Sequence, residues 1–84
     1  MAHSTETTAI AGVTIVVANG EDSQTVNVCH TGSVIGHYRA VYRSRQRNCW
    51  VTALSLGSSV DTLGELEQFL LERGFSKESP RGKS

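Results

Sequence analysis

Apolar and polar residues alternate along the first half of the chain and then change period. Over Gly12–Ala18, Val13, Ile15 and Val17 interleave with Thr14 and Val16. That two-residue period, carried by β-branched side chains, predicts a strand. Asn19-Gly20 follows, a dipeptide suited to the positive φ angles of a tight hairpin turn. Thr25–Cys29 alternates again and predicts a second strand. Thr31-Gly32-Ser33 signals another turn. Val34–Arg43 predicts a third strand, in which Gly36 marks a bulge. After a turn over Ser44–Asn48, Cys49–Leu54 predicts a fourth.

The period becomes helical beyond the loop Ser55–Ser59. Thr62-Leu63-Gly64-Glu65 has the spacing of a capping box, in which the Thr62 hydroxyl and the Glu65 carboxylate satisfy opening amides. Leu63, Leu66, Phe69 and Leu70 form one stripe, the face such a helix buries. Asp61, Glu65 and Glu67 suit the positive end of the helix dipole and Arg73 the negative end. Gly74 stands where a left-handed closing residue is wanted, with Phe75 placed to fold back on Leu70. Gly64 weakens the first turn by up to about 1 kcal/mol against alanine, a cost expected where the helix passes close to the sheet.

These elements specify an α+β fold: an antiparallel meander of three to four strands with one C-terminal helix packed on one face. The polar, Thr-rich residues 1–10 are expected to be a flexible arm. A single domain should occupy residues 11–75, and residues 76–84, with Pro80 and Gly82, a flexible tail. The 84 residues suffice for one domain with a modest core. A core this small can also be completed by dimerisation.

Composition narrows the class. Formal net charge is zero and 38% of residues are hydrophobic, which fits a globular protein rather than a disordered one. Apolar runs are far shorter than the roughly 20 residues that span a bilayer. The polar N-terminus lacks the basic start and apolar centre of a signal peptide. Two cysteines, Cys29 and Cys49, make no disulfide framework, so free thiols and a cytoplasmic location are expected.

Charge is balanced overall but not along the chain. Of 8 Lys and Arg residues, Arg39, Arg43, Arg45 and Arg47 fall within one hairpin, and no acid occurs between Gln24 and Val60. The chain's one Trp, Trp50, lies just past the turn. Arg39, Arg43, Arg45, Arg47 and Trp50 are therefore the candidate partner-binding residues. The plainer alternative is that arginines on exposed strand positions only keep a sheet edge soluble.

Hairpin parity decides what that surface shows. An even loop puts Tyr38, Ala40, Tyr42, Cys49, Val51 and Ala53 in the core. Arg39, Val41, Arg43, Trp50 and Thr52 then face outward, an arrangement suited to stacking and phosphate contact. An odd loop puts Tyr38, Ala40, Tyr42, Trp50 and Leu54 in the core and leaves Arg39, Val41, Arg43, Cys49 and Val51 outside. The odd loop is favoured because few large side chains are available to fill the interior.

Catalytic and metal chemistry find little footing. Cys29, His30, His37 and Cys49 lack the paired spacing of zinc ligands, and adjacent strand residues point to opposite faces. No glycine-rich phosphate loop is present. A Cys29 or Cys49 nucleophile with His37 has the plainer reading of a small buried thiol. The chain is expected to be no enzyme and to need no metal or cofactor.

Two functional classes follow. One is a protein-binding adaptor or inhibitor whose arginine hairpin meets an acidic protein surface or a nucleoprotein complex. In size and plain composition it is similar to phage and mobile-element products that block host defence complexes, anti-CRISPR proteins included. The other is nucleic-acid binding. The order strand, basic turn, strand with Trp50-Val51, glycine-containing loop and helix over Tyr38–Phe69 resembles the three-stranded-sheet-plus-helix DNA-binding domains of the plant AP2 and integrase N-terminal kind. That resemblance implies duplex contact through the basic sheet face. Against it, Asp61–Arg73 carries four acids and one base, which would repel a duplex unless the helix lies behind the sheet.

Overall fold

Two short turns set the architecture. At Ala11-Gly12 and Thr31-Gly32 both residues take positive φ, 54° and 82° in the first pair, 49° and 85° in the second. Turns of that kind twist in the sense that antiparallel strands need. The computed structural model describes residues 4–41 and 51–78. Strands β1 (Ser4–Ile10), β2 (Val13–Asn19), β3 (Ser23–His30) and β4 (Ser33–Val41) form an antiparallel meander. Helices α1 (Ala53–Ser59) and α2 (Leu63–Glu72) follow, and β5 (Ser76–Glu78) returns to pair antiparallel with β4. The sheet order is β1-β2-β3-β4-β5, and no described helix is long and apolar enough to cross a membrane.

One sheet face is apolar and the other polar. Ile10, Val13, Ile15, Val17, Val26 and Val28 are buried with Tyr38 and Ala40, and Val51, Leu56, Val60, Leu66, Leu70 and Phe75 complete the core. The α+β class and the antiparallel meander stand, with five strands and two helices among the described residues in place of three to four strands and one.

Several details of the sequence reading are corrected. Within residues 1–10, expected as a flexible arm, Ser4–Ile10 pairs with β2 along its whole length. Only Ile10 among its inward side chains is apolar, so its alternation is nearly silent in the sequence. In the expected tail 76–84, Ser76–Glu78 forms β5. The expected strand Cys49–Leu54 does not continue through its described end, because Ala53 begins α1 with Thr52 as N-cap. Thr52 Oγ1 accepts from the Ser55 amide at 3.0 Å, and Ser55 Oγ accepts from the Thr52 amide at 2.9 Å. The odd-loop core is overturned as well: Val51 is 1% exposed and Leu54 80%. Tyr42 and Trp50 lie outside the described residues. Asn19-Gly20 is no positive-φ turn; Asn19 ends β2 opposite Gln24, and the Gly20 amide donates to Ser23 O at 2.9 Å.

Other expectations are met. Gly36 lies at a register shift, with Val28 opposite Gly36 and Cys29 opposite Val34, so Ile35 is the extra residue of a bulge. At α2, Thr62 Oγ1 accepts from the Glu65 amide at 3.1 Å, while the Glu65 carboxylate reaches one residue further back, to the Asp61 amide at 2.8 Å. The helix closes as a Schellman motif: Phe75 N donates to Leu70 O at 3.0 Å and Gly74 N to Leu71 O at 3.2 Å, with Gly74 at φ 95°. Gly64 has no steric reason, since a Cβ there would meet nothing within 4 Å.

Candidate functional site

Strand β4 brings the candidate surface together. Cross-strand partners share a face, and the registers define rows running across the sheet. Thr5, Ala18, Thr25, Arg39 and Ser76 form one outward row. Thr7, Val16, Asn27, His37 and Glu78 form the next. The helices lie on the opposite face, so these rows are left uncovered among the described residues. Arg39 is exposed, and Arg43, Arg45 and Arg47 follow β4 in the sequence. Those three arginines and Trp50 fall outside the described residues, so the sheet positions Arg39 alone of the five predicted site residues.

Beside Arg39 runs a polar chain the sequence did not announce. His37 Nδ1–H donates to Asn27 Oδ1. An amide oxygen only accepts, so Nδ1 carries the hydrogen. On the other side His37 Nε2 stands 3.6 Å from Glu78 Oε1. Three strands thus contribute one row, with an oxygen near each nitrogen of the ring. The signal for it was register, which fixes residues ten and forty-one positions apart on one line and has no local sequence mark. Among the described residues no three His, Cys, Asp or Glu side chains converge as metal ligands. Of the other candidates among them, Cys29 lies on the same sheet face but opposite Val34, past the bulge, and His30 is exposed at the end of β3.

The helix side of the same sheet edge carries a small groove of about 180 Å³, lined by Val28, Ile35, Gly36, Tyr38, Leu63 and Glu67 among others. Ile35 is 52% exposed because the bulge turns it out of the core. Lys77 Nζ stands 6.0 Å from the centre of the Tyr38 ring. Burial, and after it the Glu67 carboxylate, push the Tyr38 phenol above its ordinary value. At the C-cap of α2, Arg73 stacks over the Phe69 ring at 3.8 Å from its centre.

Gln24 anchors the chain as it returns from the arginine-rich segment. Its side chain is 1% exposed. Nε2 donates to Val51 O at 2.8 Å and to Asn19 Oδ1 at 2.7 Å, and Oε1 accepts from Val51 N at 3.4 Å. Buried backbone groups of a non-strand segment need such a partner. With Val41 at the end of β4 and Val51 clamped to β3, both ends of the segment bearing Arg43, Arg45, Arg47 and Trp50 are tied to the sheet.

Of the span Tyr38–Phe69 that resembles three-stranded DNA-binding domains, residues 42–50 lie outside the described ones, and α1 begins at Ala53 within the expected fourth strand. Comparison with protein-family models, with curated proteins and with solved structures finds no match.

Proposed function

We propose that this chain is a non-enzymatic module that binds another protein, setting the uncovered face of its sheet at Arg39, together with Arg43, Arg45, Arg47 and Trp50, against an acidic surface. The observation that carries this reading is the exposed Arg39 on a polar sheet face that no described helix covers. Its outward neighbours are Thr25, Ser76, Asn27 and His37. Threonines, amides and one guanidinium suit hydrogen bonding and carboxylate pairing. Base stacking would rest on few rings, the His37 imidazole and Trp50, which favours a protein over nucleic acid. A stoichiometric adaptor or inhibitor is the form favoured, the class that includes phage and mobile-element proteins directed at host defence complexes.

The experiment compares the full chain with a variant reversing Arg39, Arg45 and Arg47 to Glu. Binding to a glutamate-rich peptide and to a random-sequence DNA duplex is titrated at several salt concentrations. The peptide should bind, and the reversal should weaken it by at least about tenfold, near 1.4 kcal/mol, with the melt unchanged. Duplex binding that is tighter than peptide binding and falls steeply with salt would establish the nucleic-acid alternative. Peptide binding undiminished in the folded variant would leave the arginines as a solubility feature.

A further inference from the structure

The opposite edge of the sheet carries a second surface, independent of the one at Arg39. The two-residue turn Ala11-Gly12 closes the first hairpin at the Ile10–Val13 pair. The closing pair of such a hairpin exchanges both backbone hydrogen bonds, and bonded pairs then alternate with unbonded ones. Thr8 and Glu6 are therefore bonded to Ile15 and Val17. Thr5, Thr7 and Ala9 turn their N–H and C=O groups away from β2, and among the described residues no strand meets them. Edges are commonly blunted by a lysine, a proline, a bulge or an inward-pointing charge. Ser4–Ile10 has no lysine, proline or bulge and pairs with β2 without a register break, and its one inward charge, Glu6, is engaged by the Ala53 amide.

A separate observation points to the same edge. Leu54 is 80% exposed, the most exposed large hydrophobic residue described. It stands on α1, and α1 rests on β1. The Ala53 amide donates to Glu6 Oε1 at 2.9 Å. A Cβ on Gly57 would lie 3.0 Å from Thr8 Oγ1. Leu54 follows the Ala53 whose amide Glu6 holds and lies on the part of the α1 surface that the buried Leu56 and Val60 leave uncovered.

We infer that β1 pairs antiparallel with β1 of a second copy about a two-fold axis at Thr7, continuing the sheet through both subunits and covering Leu54. The strand is self-complementary in this register. Thr7 meets the partner's Thr7, and Thr5 meets the partner's Ala9, so the outward backbone groups of both strands pair off. Glu6 meets the partner's Thr8 rather than the partner's Glu6, so like charges are not apposed. Centring the axis at Thr7 also keeps every residue of Ser4–Ile10 opposite another, which no other centre does. A symmetric interface needs a patch that complements itself, and this edge is one.

Sedimentation of the full chain over a range of concentrations, with amide exchange on the same samples, tests the inference. A reversible dimer is expected, and the amides of Thr5, Thr7 and Ala9 should gain protection as concentration rises. Leu54→Glu changes an exposed position and should keep the melt while raising the dimer dissociation constant at least about tenfold. Thr7→Pro removes an outward donor, leaves the bonds to β2 in place, and should do the same. A chain that stays monomeric throughout overturns the inference. So does a dimer whose protection grows at other amides, or one that folded Leu54→Glu leaves undiminished.

Discussion

Replacing Gln24 by leucine keeps side-chain volume nearly constant and removes the polar end that holds Val51. In the native protein the Gln24 amide serves both backbone groups of Val51, whose residue is 1% exposed. Leucine leaves the Val51 N–H and C=O in the core without that partner. Each orphaned group costs about 1–3 kcal/mol, and the added apolar burial returns roughly 1 kcal/mol. A net loss of about 1–5 kcal/mol is expected. A domain of this size holds only about 4–12 kcal/mol in total, so much of its stability is at stake. The melt should fall by at least about 4 °C, and the urea midpoint should drop without a change in slope. The variant should also bind its partner less well than its folded fraction predicts, because one end of the arginine-bearing segment loses its tether. A loss below about 0.5 kcal/mol, the ordinary range for a surface substitution, would refute the clamp.

Gly64→Ala should stabilise the protein by up to about 1 kcal/mol, since the methyl meets nothing within 4 Å and the helix gains propensity; a lowered melt would show that the first turn of α2 needs glycine after all. Tyr38 gives a pH dependence. Its phenol is raised above 10.0, so the folded state holds that proton more tightly than the unfolded chain. The contribution is intact below pH 10.0 and is lost as pH rises through the folded-state value. Melts from about pH 8 to pH 11 should therefore fall more steeply for the native protein than for Tyr38→Phe, and equal alkaline slopes would refute the assignment.

What the sequence made legible was whatever has a local cause. The caps of α2 rest on residues three to five positions apart; Thr62, Gly74 and Phe75 act as spacing predicts, and Glu65 reaches the Asp61 amide instead of that of Thr62. The alternation of Val13, Ile15 and Val17 marks β2 because the inward side chains are all apolar. Strand β1 escaped because its inner face carries Glu6 and Thr8. Those polar groups are accepted there because α1 covers them and the Glu6 carboxylate meets a helix amide. Helix α1 escaped because its capping residue at the third position is serine rather than the longer Glu or Gln, and its few residues continue the β-branched run Val51-Thr52. At the candidate site Arg39 was legible as an exposed strand residue. The Asn27–His37–Glu78 row was not, because only strand register assembles it.

The place of β5 in the sheet bears on the order in which the molecule assembles. Each of the first four strands pairs with its neighbour in sequence across a short connection, so closing those hairpins costs little chain entropy. Arg39 and Ser76 are cross-strand partners too, yet both helices intervene between them. Low contact order favours early formation of the meander, while the β4–β5 ladder waits until the helical half has condensed. The same asymmetry runs in reverse during fluctuations. Three exposed residues at the end of a long closure form a cooperative unit much weaker than the whole. Detachment of β5 would free Lys77 from the Tyr38 ring and Glu78 from His37 while the meander persists, so both faces of β4 can be remodelled without global unfolding.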